Sequence, residues 1–158
     1  MLRAWRVVTI IITALGLTLG AAHALEMPPK MRYDAAMYAA VNSTLYLLFG
    51  TVGAVIQVGA LIAAGVLSYL SRGRPSFRLT LLGAFALLLS LVLWAALVAP
   101  VNAEWATALR SAPDSAPAAY ARLRPRWEYG HVAAFVPWLS GFTLIVVAVV
   151  REIPREPR

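Results

Sequence analysis

The sequence predicts an all-α integral membrane protein, built as a bundle of four transmembrane helices. Of its 158 residues 61% are hydrophobic and only 13% are charged, whereas soluble domains are about half apolar and a quarter charged. The charge-free stretches are also long, since they cover residues 7–25, 35–71, 79–99 and 129–150. About 20 helical residues cross the hydrocarbon core of a bilayer. The chain therefore has room for four crossings and for no separate soluble domain.

The first crossing has two interpretations. Arg3 and Arg6, the apolar run behind them and the triplet Ala22-His23-Ala24 are also typical of a secretory signal with a cleavage site. The run reaches transmembrane length before Glu26, so the pattern alone leaves retention and cleavage about equal. We predict one integral membrane domain, residues 1–158, with spans at about 7–26, 44–70, 79–99 and 129–150.

The connections differ in length. The second charge-free stretch is longer than one crossing needs, so we expect its first turns, with Asp34 as N-cap, to stand outside the hydrocarbon. The longest connection, predicted as an outer loop over 100–128, contains Pro100, Pro113, Pro117 and Pro125. Its middle is typical of a turn-rich linker, with room for short interfacial helices over 103–110 and 118–123.

The charges predict orientation and exclude some functions. The net charge is +7, but the basic residues lie at the ends of apolar segments, which favours membrane anchoring over a nucleic-acid partner. Eight arginines lie before the first span, in the 72–78 connection and after the fourth span, against six basic residues on the opposite side of the membrane. The positive-inside rule therefore predicts a multi-pass protein of the cell membrane with both termini in the cytoplasm. The absence of cysteine excludes thiolate-held zinc, iron–sulfur clusters and cysteine nucleophiles.

Two histidine–glutamate pairs are the main candidates for a site. Glu26 follows His23 by three residues, and Glu128 precedes His131 by three. Residues three apart share a helix face, and with four spans both pairs lie at the same end of the bundle on antiparallel helices. The sequence therefore predicts that the imidazoles meet at one depth, with the carboxylates about 4.5 Å further out.

This donor set leaves several chemistries open. His23, Glu26, Glu128 and His131 could hold a single metal ion, namely iron, copper or zinc. They could instead form a metal-free acid/base pair, and two histidines could also be axial ligands of a haem. A structural interpretation competes, because a carboxylate such as Glu128 is favoured at a helix start in any case. Glu26 fits it less well: Pro28 and Pro29 are expected to end the helix just after it, where a negative charge needs a partner.

Other polar and aromatic residues surround the predicted site. Asn102 and Arg126 are candidates for binding a substrate oxyanion, and Trp127 and Tyr46 for flanking a flat apolar substrate. Aromatic residues also concentrate at membrane interfaces without any ligand. Gln57 lies deep in the second span, where we interpret it as a donor that packs across helices.

Three short motifs carry a resemblance to a known family. HALEMPPK (23–30), PVN (100–102) and LRPRWEYGH (123–131) resemble the signature of small four-helix membrane proteins that include the fungal anthrone oxygenases. Met27 stands where that family more often has Leu. The resemblance marks the following residues: His23, Glu26, Pro28, Lys30, Pro100, Asn102, Arg126, Trp127, Glu128 and His131.

The resemblance implies a retained first helix and an oxygenase-like reaction. In the characterised members an acidic C–H next to a carbonyl is deprotonated and the carbanion meets dioxygen. His131, oriented by Glu128, would then be the base, with His23 and Glu26 completing the site or holding a metal. Asn102 or Arg126 would stabilise the enolate oxygen.

We therefore expect a membrane-embedded, oxygenase-like oxidoreductase that acts on a small apolar aromatic or quinone-like substrate near the outer leaflet. The alternative is a non-catalytic accessory or assembly subunit of a larger membrane complex. Besides the lipid bilayer, expected partners are the small substrate and either another membrane protein or a second copy of the chain.

Overall fold

The computed structural model describes residues 1–152, which fold almost entirely into α-helices, with no strand among them. Four segments are long and apolar enough to cross a membrane, namely Leu2–Lys30, Leu47–Leu70, Phe77–Ser111 and Pro113–Val150. This confirms the all-α four-helix bundle. The helices are α1 (Leu2–Lys30), α2 (Ala35–Thr44), α3 (Leu47–Leu70), α4 (Phe77–Leu97), α5 (Ala99–Ser111) and α6 (Ala116–Val150), with a 3₁₀ turn at Pro113–Ser115.

The four long helices form a closed ring, in which α1 packs between α3 and α6, and α4 between α6 and α3. The short helices α2 and α5 pack on the first turns of α6 and cover one end of the bundle, which we call the capped end. The opposite end, the arginine end, carries Arg6, Arg74 and Ser76, which all contact the carboxylate of Glu152. Glu152 thereby joins the start of α1 to the α3–α4 connection.

Glycine allows a close approach between α4 and α6. A Cβ on Gly141 would lie 2.8 Å from the carbonyl oxygen of Gly83, and one on Gly83 would lie 3.1 Å from the carbonyl oxygen of Gly141. On α1, Gly16 similarly makes room for the indole of Trp138, whose Nε1 donates to the carbonyl oxygen of Thr13 at 3.0 Å. Small residues at such crossings are typical of membrane helices.

Large apolar side chains are exposed on all four long helices, for example Ile11, Val55, Phe85 and Val136. Exposed apolar side chains on every spanning helix are expected where lipid replaces water as the solvent. Together with the four spans, they indicate a multi-pass protein in a lipid bilayer.

Two predicted boundaries are wrong because proline opens helices as readily as it ends them. The predicted loop over 100–128 is mostly helical, and the helical pieces expected at 103–110 and 118–123 are parts of longer helices. Helix α5 begins beside Pro100, and α6 begins at Ala116 with Pro117 in its first turn. The predicted span 129–150 is therefore the inner part of a longer helix.

Helix α1 also continues past Pro28 and Pro29 to Lys30, instead of ending just after Glu26. The amide of Met31 donates to the carbonyl oxygen of Met27 at 2.9 Å, which supports this last turn. As a result, Lys30 lies one turn after Glu26 on the same helix face.

Candidate active site

The two histidines lie side by side near the capped end. The ring centroids of His23 on α1 and His131 on α6 are 3.9 Å apart, and only 5% and 9% of the two residues is exposed. The contact follows from the antiparallel order of α1 and α6, as the sequence predicted. The chain's only imidazoles are therefore neighbours inside the bundle.

Aromatic rings enclose this pair. Tyr46 stacks on His23 with ring centroids 4.9 Å apart, while Phe49 and Trp127 meet His23 edge-on at 5.5 and 5.0 Å. The ring of Trp127 is also 4.1 Å from that of His131. The imidazoles thus lie against aromatic surfaces on several sides, which fix the ring planes by packing.

A backbone carbonyl orients His131. Its Nδ1 is 2.9 Å from the carbonyl oxygen of Trp127, one turn earlier on α6. A carbonyl only accepts, so Nδ1 carries the proton and the neutral ring has its basic lone pair on Nε2. The predicted role of Glu128 in orienting His131 is wrong, since among the described residues neither imidazole pairs with a glutamate.

Glu128 instead pairs with a lysine. The Nζ of Lys30 is 3.0 Å from Oε1 of Glu128 and 3.9 Å from Oε2 of Glu26. It also donates to the hydroxyl oxygen of Tyr46 at 3.1 Å and lies 4.5 Å from the ring centroid of Trp127. Lys30 is 2% exposed and Glu128 is fully buried. One ammonium therefore connects both carboxylates with the aromatic wall of the histidine pair.

Two tyrosines complete this charged network as donors. The hydroxyl of Tyr38 donates to Oε1 of Glu128 at 3.0 Å, and that of Tyr46 donates to Glu26. Burial, reinforced by the negative charge of Glu128, raises the pKa of Tyr38. Burial and the hydrogen bond to Glu26 likewise raise the pKa of Tyr46. Both hydroxyls therefore stay protonated at neutral pH.

The predicted metal set is not assembled. Both carboxylates face the ammonium of Lys30, whose positive charge lies where a cation would have to bind. Within residues 1–152, no group of three or more His, Cys, Asp or Glu side chains could hold a metal ion. The residues present therefore do not fit the single iron, copper or zinc ion that the sequence suggested for His23, Glu26, Glu128 and His131.

A cavity of about 340 Å³ begins at the histidines and extends toward the middle of the bundle. Apolar and aromatic side chains supply most of its wall, with a few polar groups among them. Its size and lining are typical of a site for a small organic ligand. The aromatic wall residues are Tyr46, Phe49, Trp94, Trp105, Trp127, Phe135 and Trp138, and the polar ones are His23, Asn42, Gln57, Ser90, Asn102 and His131.

The cavity lining is exposed where α3 faces α4. Gly50, Ala54 and Val58 on α3 and Ala95 on α4 line the cavity and are also exposed on the bundle surface. A Cβ on Gly50 would meet no atom within 4 Å. The gap between these helices therefore gives the cavity a side opening between two of the spanning segments.

Of the predicted substrate-binding residues, three line the cavity and one does not. Tyr46, Trp127 and Asn102 are in the wall, and Oδ1 of Asn102 accepts a hydrogen bond from Nε1 of Trp127 at 2.8 Å. Arg126 is exposed and is not part of the wall; its Nη2 donates to the carbonyl oxygen of Ala96 at 3.4 Å. The prediction for Arg126 is wrong because one position along α6 turns a side chain by about 100°, which takes Arg126 away from the cavity side that Trp127 occupies.

Sequence reasoning missed the part that Lys30 plays in this site. Lys30 was marked by the resemblance alone, because its distance of four residues from Glu26 suggests a pair only if the helix continues through the prolines. Asn42, also expected near the histidine–glutamate pairs, lines the cavity from α2 and donates to the carbonyl oxygen of Tyr38 at 2.8 Å.

No family model, curated protein or solved structure matches the chain. The contacts of the site are therefore the basis on which a function can be inferred.

Proposed function

We propose that the protein takes a small, flat, apolar molecule, aromatic or quinone-like, from the bilayer and that His131 removes a proton from it as the first step of an oxygenation. One observation carries this proposal. Nδ1 of His131 is held by a carbonyl, and the ring lines an apolar cavity, so Nε2 is available as a base toward a bound molecule. The side opening between α3 and α4 supports entry from the lipid.

The proposed reaction begins at a CH₂ group next to a carbonyl. Nε2 of His131 takes one proton, and the resulting enolate carbon reduces dioxygen and forms a C–O bond with it. The proton returns to the outer oxygen, which gives a hydroperoxide. His131 then removes the second proton of that carbon, the O–O bond breaks, and the leaving hydroxide takes up this proton as water. The balance is CH₂ plus O₂ to C=O plus H₂O, with dioxygen as the oxidant.

Asn102 supports the enolate in this proposal. Its Oδ1 already accepts from Trp127, so the amide nitrogen is left as a donor in the cavity wall. A donor that faces the developing negative oxygen stabilises the transition state. His23 packs on the His131 ring and helps to hold it in place.

We also propose that the protein lies in the cell membrane with both termini in the cytoplasm. The arginine end carries the short 72–78 connection, whose charges are all basic, and such loops remain in the cytoplasm. The capped end and the histidine pair would then lie near the outer leaflet.

The test is oxygen consumption by the full chain in lipid nanodiscs, with anthrone as the probe. We expect wild type to consume one dioxygen per anthrone oxidised, and His131→Gln to lower the rate by about 100-fold or more, a usual loss for a general base. Tyr129→Phe, on the same helix but exposed, is the control and should match wild type.

Unchanged oxygen consumption in His131→Gln would contradict the proposed base. Wild-type protein that consumes no oxygen would contradict the oxygenase proposal and favour the accessory-subunit interpretation.

A further inference from the structure

One polar residue of the cavity wall, Gln57, has no role in the reaction proposed above. Gln57 lies near the middle of α3 and lines the cavity. Its amide takes part in no side-chain hydrogen bond with the described residues. By contrast, the hydroxyls of Thr51 and Ser68 on the same helix each donate to the backbone carbonyl oxygen one turn earlier, at 3.1 and 2.8 Å.

An unpaired amide at this depth is unfavourable. In the hydrocarbon region there is no water to satisfy its donors and acceptor, so polar side chains there normally bind one another or a ligand. The interpretation of Gln57 as a donor across helices is wrong, because the side chain faces the cavity and not a polar group of a neighbouring helix.

The position of Gln57 relative to the histidines sets the length of a ligand that could contact both. Phe49 contacts His23 with ring centroids 5.5 Å apart, and Gln57 follows Phe49 by about two helical turns, or roughly 12 Å along the axis. Helical side chains lean toward the N-terminus of their helix, and α3 begins at the capped end. The side chains of Phe49 and Gln57 lean alike, so the Gln57 amide lies about two helical turns deeper in the bundle than the ring that contacts His23.

We infer that Gln57 is a specificity residue, and that the ligand is a flat fused-ring molecule with a polar group at each end. This inference rests on the proposed function. One end of the ligand carries the proton that Nε2 of His131 accepts. The other end carries a hydroxyl or carbonyl oxygen that pairs with the Gln57 amide. Between these ends the wall is apolar and aromatic, including Trp138 and Phe135, which suits the ring faces.

The test compares two probes, 2,6-dihydroxynaphthalene, with a hydroxyl at each end, and 2-naphthol, with one. Dissociation constants are measured by titration calorimetry on the full chain in nanodiscs. We expect wild type to bind the diol roughly three- to tenfold more tightly than 2-naphthol, the value of one hydrogen bond. In Gln57→Met, which keeps the side-chain length, this ratio should fall to about one while 2-naphthol binds as before.

Val55→Met is the matched control, because Val55 lies on the same helix but is 74% exposed outside the cavity; it should keep the wild-type ratio. Circular dichroism and gel filtration establish that each variant is folded. A ratio in Gln57→Met equal to that of wild type overturns this inference and leaves the proposed function in place. A wild type that binds neither probe overturns both.

Discussion

The ammonium of Lys30 lies between two carboxylates from different helices, and their exposures differ. The Glu128 side chain is fully buried, whereas that of Glu26 is 38% exposed. A buried charge that loses its partner is costly, while an exposed one is largely solvated. Among single residues, the Lys30–Glu128 pair should therefore matter most for the stability of the capped end.

We predict that Lys30→Met destabilises the protein by about 3 to 5 kcal/mol, because it leaves the charge of Glu128 buried without a partner. The double variant Lys30→Met/Glu128→Gln should recover most of this loss, since no unpaired charge remains. The measurement is reversible unfolding in detergent, followed by circular dichroism.

Glu26→Gln is the control for this pair. It should cost less than about 1 kcal/mol, because Lys30 remains paired with Glu128 and Glu26 is partly exposed. Equal losses in Glu26→Gln and Lys30→Met, or a double variant no more stable than Lys30→Met, would argue against the pairing.

The sequence predicted the meeting of His23 and His131 because helix order and depth determine it. It did not predict which groups the glutamates would contact. Three-residue spacing puts a carboxylate and an imidazole on one face, but Glu128 turns to Lys30 from another helix, and a carbonyl holds His131. The partners of these side chains depend on how α2 packs and on the last turn of α1, which contains Pro28 and Pro29 and carries Lys30.

Among the helices, backbone contact between α4 and α6 determines how the site is held. The Gly83–Gly141 crossing lies toward the arginine end, and the same two helices supply Ser90 and Ala134 to the cavity wall. There Ser90 joins the two helices by donating to the carbonyl oxygen of Ala134 at 2.6 Å. The crossing therefore fixes the geometry of α6, which carries His131.

We predict that Gly141→Ala destabilises the protein by about 1 to 3 kcal/mol, because the new methyl group overlaps the Gly83 carbonyl oxygen and the helices must separate. Gly65→Ala is the matched control on α3, where a Cβ would meet nothing within 4 Å. It should stabilise by about 0.5 to 1 kcal/mol through helix propensity alone. Thermal unfolding of both variants in one detergent measures the difference, and a Gly141→Ala variant as stable as Gly65→Ala would contradict the close crossing.

Helix number and type were predictable from the sequence because hydrophobic stretches of membrane length leave few alternatives. The ends of the helices were not. Pro28, Pro100 and Pro117 were expected to end or exclude helices, yet each lies within one. Pro100 and Pro117 lie at helix starts, where the missing amide hydrogen of proline costs no hydrogen bond. Pro28 lies in the last turn of α1, and where that helix ends depends on the tertiary structure.

Across the whole bundle, the cavity, the histidine pair and the charged network all lie toward the capped end. The arginine end carries the Arg6–Glu152 pair. Under the positive-inside rule, the site would face away from the cytoplasm.

The absence of cysteine from the chain makes this orientation testable with single introduced thiols. Ser115→Cys, in the exposed turn before α6, should react with a membrane-impermeant maleimide in intact cells. Pro75→Cys, exposed in the α3–α4 connection, should react only after permeabilisation. The reverse pattern would place the arginine end outside.

The proposed function depends above all on Nε2 of His131 being a base that faces a ligand in the apolar cavity. Hydrogen–deuterium exchange at the CH₂ group of anthrone isolates this step, measured by mass spectrometry without oxygen, with the full chain in nanodiscs in D₂O. We predict that wild type accelerates the exchange and that His131→Gln lowers the acceleration by about 100-fold. Equal exchange rates with wild type and His131→Gln would contradict the role of His131 as a base.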